Sequence, residues 1–250
     1  MRPIILIPTY NNASTVCDIV RRSLAVCPDV MVVNDGSTDD TLQRLTTLQQ
    51  ESPFTLVSYP DNKGKGGALK AGFQRAKELG FTHVLTIDAD GQHYPEDAHL
   101  LIEEGEHEPE AIIVGSRSFG DENMPGGNVF ANKFSNFWFT VQTLQRIPDT
   151  QTGFRLYPLD HIGGLRILTS RYEAELELLV FSAWRGTKII SVPVRVYYPP
   201  VEERISHFHP TKDFLRITAL NTILCLLAIV YGGPRMLFNH LRKLITSKSS

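Results

Sequence analysis

Leu85-Thr86-Ile87-Asp88-Ala89-Asp90-Gly91-Gln92-His93 reads as the end of a buried strand that runs straight into paired carboxylates. Residues at i and i+2 of an extended segment point to the same side, so Asp88 and Asp90 aim at one point just past the strand end. Converging acids repel, and burying them unpaired is costly. A divalent cation answers that cost, and hard oxygen ligands suit magnesium or manganese. Gln92 can add an amide oxygen. A lone Asp-x-Asp also fits an exposed acidic turn, so the flanking chain must decide.

Upstream, Ile4-Ile5-Leu6-Ile7 (stopped by Pro8) and Val30-Met31-Val32-Val33 have the length and branching of buried parallel strands. A third strand is expected at 54–58, a fourth at 83–87 and a fifth at 111–115. Between them apolar residues recur at helical spacing: Val16, Ile19, Val20 and Leu24; Leu42, Leu45 and Leu48; Leu69, Phe73, Ala76 and Leu79; Ala98, Leu101 and Ile102. Ser14 or a neighbour is expected to cap the first helix, and Pro95 suits the first turn of the last. This alternation predicts an α/β fold, a parallel sheet with helices on both faces. Ligands in such sheets bind beyond the carboxyl ends of the strands. Three polar clusters fall there: Thr9 to Asn12, Asn34 to Ser37, and Asp88 to His93.

The 250 residues are 42% hydrophobic and 21% charged, with a net charge of -2, so no general basic field argues for nucleic acid. Cys17, Cys27 and Cys225 lack metal-ligand spacing and read as reduced packing residues. No signal peptide or internal repeat is apparent. Beyond Gly115 the pattern loosens into a flexible loop and an aromatic amphipathic helix. Asp149-Thr150-Gln151-Thr152-Gly153-Phe154-Arg155 then leads into a short strand, Tyr172-Glu173-Ala174-Glu175 opens a helix, and strands at 188–192 and 194–198 are split by Pro193. Ile217 to Tyr231 is apolar but short of the roughly 20 residues needed to span a bilayer. Gly232-Gly233-Pro234 is expected to break it, and Arg235, Arg242, Lys243 and Lys248 follow without an acid. That order suggests an in-plane membrane contact, or else a core helix with a solvated basic tail.

Asp35, at a strand end, can bond a ribose hydroxyl or a base edge, or simply cap a turn. Gly64-Lys65-Gly66-Gly67 can bring amides or Lys65 to an anion, though it lacks P-loop spacing. Arg117, just past the fifth strand, can hold a phosphate in forked geometry, and Lys133 can assist or be a solvated charge.

Six motifs stand in one order: Pro8-Thr9-Tyr10-Asn11-Asn12, Val33-Asn34-Asp35-Gly36-Ser37, Asn62-x-Gly64-x-Gly66-Gly67-Ala68, Asp88-Ala89-Asp90-Gly91-Gln92-His93, Val114-Gly115-Ser116-Arg117 and Asp149-Thr150-Gln151-Thr152-Gly153-Phe154-Arg155. Together, over residues 3–200, they resemble the family 2 type of inverting GT-A glycosyltransferases, above all the dolichyl- or polyprenyl-phosphate mannose and glucose synthases. The resemblance implies a Rossmann-like GT-A domain over 1–212 with a mostly parallel sheet, a nucleotide-binding half (1–117), an acceptor half (118–212) and C-terminal membrane-associating helices (213–250). It implies a nucleotide-sugar donor, GDP-mannose or UDP-glucose, and a polyprenyl or dolichyl phosphate acceptor at the cytoplasmic face of a membrane. Pro8, Tyr10, Asn12, Asp35, Lys65, Asp88, Ala89, Asp90 and Arg117 would bind the donor, and Asp88, Asp90 and Gln92 would hold Mg2+ or Mn2+. Lys133, Gln151 and Arg155 would bind the acceptor, and the catalytic group would be Asp90, Arg117, Asp149 and Arg155. A hydroxyl acceptor would need a base, with Asp149 the first choice and Glu175 the second. Asn12 stands where the family commonly has an acid. A nucleotide-sugar pyrophosphorylase would carry a Gly-rich basic loop after the first strand, which Pro8 to Asn12 is not. A non-catalytic sugar-nucleotide binder ranks lower still.

Overall fold

The computed structural model describes residues 1–117, 126–162, 169, 171, 173–197 and 210–247, with backbone alone at 126–131, 210–215, 240 and 243–247. The expected loop at 118–125, Tyr172, Tyr198 and Lys248 lie outside the described residues. Strands β1 (Pro3–Thr9), β2 (Val30–Asp35), β3 (Thr55–Tyr59), β4 (His83–Thr86), β5 (Ile112–Arg117), β6 (Arg155–Pro158) and β7 (Ile189–Val194) form one sheet in the order β3-β2-β1-β4-β6-β5-β7. Helices α1 (Val16–Val26), α2 (Thr41–Glu51), α3 (Lys65–Glu78) and α4 (Ala98–His107) make the crossovers between β1 and β5.

Strand periodicity divides the core. Ile4 and Leu6 of β1 face a cluster with Phe73 of α3, while Ile5 and Ile7 face a second with Val16, Ile19 and Leu45 of α1 and α2. All four β1 side chains are buried, as a central strand covered on both faces requires. Thr15, not Ser14, precedes α1, and no side chain caps that helix. Backbone supplies the join instead: Asn12 O accepts from the amides of Thr15 and Val16.

The sheet is mostly parallel, as expected, with one exception. β6 runs antiparallel to both β4 and β5 and lies between them. Helix α5 (Gly126–Thr143) returns the chain to the carboxyl edge, so β6 enters from that edge, with Arg155 paired to Thr86. Its preceding loop, 149–154, is thereby delivered beside Asp88. The split at Pro193 is also absent: β7 continues through it, paired with Ser116. β7 is the sheet's edge, where a residue without an N–H breaks no ladder.

A short α6 (Leu159–Ile162) leads to α7 (Glu173–Trp184), which is almost wholly buried. Gly232-Gly233-Pro234 is no break. α8 (Pro210–Leu227) passes through a π-helical turn at Ala228–Gly232 into α9 (Gly233–Ser247). The wider turn lets a proline enter at the start of the next helical segment without a stop. The stretch Arg216–Asn239 is thus 24 residues of continuous helix, with an 18-residue window of mean hydropathy 1.7, long enough to cross a bilayer. One side of it is spoken for. Leu220 and Leu224 enter the core, Asn221 Oδ1 accepts from Gln142 Nε2 at 3.0 Å, and Asn239 Nδ2 donates to Trp184 O at 3.3 Å. The other side exposes Ile223, Leu226, Ile229, Val230, Leu237, Phe238 and Leu241.

Candidate active site

The polar strand ends are knitted into one floor. Asn11 N donates to Ser37 Oγ at 3.0 Å and Asn12 N to Thr41 Oγ1 at 3.0 Å, which ties the loop after β1 to the loop after β2. Thr15 Oγ1 donates to Ala89 O at 2.5 Å, which ties it to the loop after β4. Asp35 is buried, and its Oδ1 accepts from Lys63 N at 2.9 Å. Pro8 is buried near the end of β1, and Tyr10 is half-buried in the loop that follows. Asn12 is turned inward, with Oδ1 accepting from Thr9 Oγ1 and Tyr10 N.

Asp90 stands at the centre of this floor. Its Oδ1 accepts from Gln92 N at 3.0 Å, a turn that Gly91 closes at φ +78°. Burial and the neighbouring charge of Asp88 push the Asp90 carboxyl up to about 6. Asp88 behaves oppositely. Burial works against its charge, but the Lys65 ammonium, 2.6 Å from Oδ1, holds it below the usual carboxylate range. The same ammonium lies 2.8 Å from Glu175 Oε2, and although burial opposes its charge the two acids raise its pKa above the lysine norm. His93 is buried and stays neutral. Burial lowers its pKa to about 4, with the ring against Phe154 at 5.2 Å and Nε2 near Thr152 Oγ1 at 3.4 Å. An antiparallel bridge from His93 to Val196, with Tyr197 N donating to Gln92 O at 2.7 Å, pins the acidic turn to the chain leaving β7.

Arg117 and Asp149 form a forked pair, with Nε to Oδ2 at 2.5 Å and Nη2 to Oδ1 at 2.9 Å. Asp149 Oδ1 also accepts from Asn132 Nδ2 and from the amides of Gln151 and Thr152. Burial would push this carboxyl up, but Arg117 and the other donors bring it below its ordinary range. A fully buried acid with its lone pairs so occupied has no place to take a proton from an acceptor, so the placement argues against Asp149 as a base. Arg155 is likewise corrected. It is fully buried and donates to Thr150 O, Glu175 O and Tyr157 Oη, a strut under the site instead of an acceptor contact. Lys133 is exposed on α5, next to Asn132, and the Gln151 side chain is exposed at the rim. Asn132, Thr15 and Lys63 are anchors that single motifs did not reveal, because each meets its partner only in the folded chain.

Gly153 marks the tightest approach. A Cβ there would sit 2.8 Å from Lys65 Nζ and closer still to Asp88 Oδ2. Gly153→Ala is expected to displace the Asp88 carboxylate and lower kcat/KM by about a hundredfold, since misplacement near 1 Å has that cost. Steady-state kinetics check it, and wild-type rates would contradict the reading.

Asp88, Asp90 and Gln92 suit a hard divalent cation. Asp90 is a half-buried carboxylate whose pKa is raised by desolvation and by the charge of Asp88, both of which a cation would offset. Among the described residues no three His, Cys, Asp or Glu side chains gather into a complete cage. Two carboxylates and an amide are a partial set, of the kind that magnesium or manganese completes with substrate phosphates.

Comparison with known proteins is consistent with this geometry. The family model described as "Glycosyl transferase family 2" matches residues 4–162. A UDP-N-acetylglucosamine–dolichyl-phosphate N-acetylglucosaminyltransferase of Methanococcus voltae is 28% identical over 213 residues, covering 78% of this chain and 85% of the relative. The undecaprenyl-phosphate mannosyltransferase of Micrococcus luteus is 27% identical, covering 78% and 83%. Among solved structures, glucosyl-3-phosphoglycerate synthase from Mycobacterium tuberculosis, in complex with Mn2+, UDP and glucosyl-3-phosphoglycerate, superposes with a TM-score of 0.64 at 19% identity, covering 90% of this chain and 80% of that one. This likeness shows the GT-A-like fold.

Proposed function

The chain belongs to glycosyl transferase family 2, and we propose that it moves a hexose from a nucleotide sugar to a polyprenyl or dolichyl phosphate at a membrane surface. GDP-mannose and UDP-glucose are the leading donors, and the relatives' names add UDP-N-acetylglucosamine. In this reading residues 1–117 hold the donor. Asp35 and the loop from Pro8 to Asn12 take the nucleoside, while Asp88, Ala89, Asp90, Gln92 and Lys65 surround the diphosphate. Mg2+ or Mn2+ on Asp88, Asp90 and Gln92 would stabilise negative charge on the departing diphosphate. The bond from the anomeric carbon to the diphosphate oxygen breaks, the electron pair leaves with the diphosphate, and an acceptor oxygen bonds the opposite face, inverting the centre. Arg117, kept in forked geometry by Asp149, and Lys133 and Gln151 line the acceptor side.

One observation favours a phosphate over a hydroxyl acceptor. The two acids best placed to act as a base are both engaged, Asp149 by Arg117, Asn132 and two amides, and Glu175 by Lys65. A phosphate oxygen is already anionic at neutral pH and needs no base, only cationic positioning. The unburied apolar side of Arg216–Asn239, with Arg235 near its end and Arg242 just past it, supports an in-plane contact with anionic lipid. Its opposite side is committed to the catalytic core, which argues against a lone spanning helix.

Radiolabelled nucleotide sugars offered with undecaprenyl phosphate in anionic vesicles, beside a glycan hydroxyl acceptor, test the reading. The expected product is a lipid-phosphate sugar that appears only with Mg2+ or Mn2+. Label on the hydroxyl acceptor alone would overturn the choice of acceptor.

A further inference from the structure

Lys65, Asp88 and Glu175 come from three elements: the first residue of α3, the turn after β4 and the first turn of α7. One ammonium serves both acids, at 2.6 Å from Asp88 Oδ1 and 2.8 Å from Glu175 Oε2. Glu175 is buried, and its second oxygen, Oε1, has no hydrogen-bond partner. Burying a carboxylate with half its capacity unused is costly, and a neutral amide would pack there as well. What a carboxylate adds is charge. The Glu175 backbone is held separately, since its carbonyl accepts from Arg155 Nη1 at 2.8 Å, so the side chain is not needed to seat α7. With Glu175 ionised, Lys65 is shared and cannot spend its whole charge on Asp88.

We propose that Glu175 is a positioning residue for the donor site. By sharing the Lys65 ammonium it leaves Asp88 enough negative charge to join Asp90 in holding a divalent cation. This rests on the metal reading above. Without Glu175 the whole charge of the ammonium falls on Asp88, which it already contacts, and stands in for the metal there. Gly153 leaves room for both groups, since a Cβ there would collide with Asp88 Oδ2 and come within 2.8 Å of Lys65 Nζ.

The test is direct Mn2+ binding, read from the electron paramagnetic resonance signal of the free ion with UDP or GDP present and no turnover. Glu175→Gln is expected to weaken Mn2+ binding about tenfold, and Glu175→Asp, which keeps the charge, about threefold. In a Lys65→Met background the same Gln substitution is expected to cost about threefold or less, because no ammonium remains to bear on Asp88. Thermal melting accompanies each variant, and if Glu175→Gln does not fold, the Asp variant in both backgrounds carries the comparison. Unchanged Mn2+ affinity in the folded Glu175 variants overturns the proposal alone. So does an equal loss with and without Lys65, which would mean that Glu175 acts only through space. A wild-type chain that takes up no Mn2+ overturns the metal reading and this proposal with it.

Discussion

Asp90→Asn is expected to lower kcat by about a thousandfold, the cost of removing a group that stabilises charge developing in the transition state. Asn keeps the shape and the acceptor for Gln92 N, so the turn at Gly91 survives while the charge is lost. The same variant is expected to be more stable than the wild type. Burial and Asp88 raise the Asp90 carboxyl from an ordinary 3.8 to about 6. An acid raised in this way destabilises the fold wherever the unfolded chain would release the proton. The penalty is absent below 3.8, grows as pH rises from there, and is complete above about 6. At neutral pH its removal is worth roughly 1–3 kcal/mol. The wild type should also need more metal as pH falls through about 6, because the proton then competes for Asp90. Initial rates against Mn2+ concentration at several pH values, with chemical denaturation of both proteins, check these outcomes. A variant with wild-type turnover would sink the metal role, and one less stable than wild type would sink the electrostatic account.

Asp149→Ala has the opposite signature. It is expected to destabilise the protein by about 3–5 kcal/mol, the cost of stranding one partner of a buried ion pair. Arg117 would lose both forked contacts, and Asn132 Nδ2 and the amides of Gln151 and Thr152 would lose their shared acceptor. That is a large share of the 5–15 kcal/mol by which domains are ordinarily stable. Equilibrium urea denaturation measures it. A loss below about 1 kcal/mol would mean that the pair is not the keystone described here and would reopen Asp149 for chemistry.

Much of the architecture was legible before folding because buried parallel strands announce themselves. Ile4-Ile5-Leu6-Ile7 and Val30-Met31-Val32-Val33 are apolar on both sides, and each ends in the polar residues that form the floor of the site. β6 was legible only as a strand. Four residues carry no mark of direction, and nothing local reveals that they slip between β4 and β5. The helix from Arg216 to Asn239 is hidden in the sequence because Gly232-Gly233-Pro234 is a stop signal in isolation. In the fold Gly232 lies so close to the Trp184 indole that a Cβ there would come within 2.5 Å of its Nε1, so the glycine is there for packing. The Asp88–Asp90 pair could be read from two-residue spacing, but its partners could not. Lys65 and Glu175 lie far apart in sequence, and only the closure of α7 over α3 brings them to one ammonium. Arg117 and Asp149 each looked like free agents until their forked pairing assigned them to one another.

The insertion of β6 has a consequence for synthesis. β4 and β5 are consecutive strands joined by a helix, the connection that ordinarily yields direct neighbours. Here each must leave an edge bare until residues 155–158 have emerged from the ribosome. The first 117 residues therefore carry the donor-side motifs yet cannot close their own sheet, and an unpaired interior edge invites the wrong partner. The boundary proposed at 117 would divide labour between donor and acceptor. It does not divide the nascent chain into pieces that could be made separately.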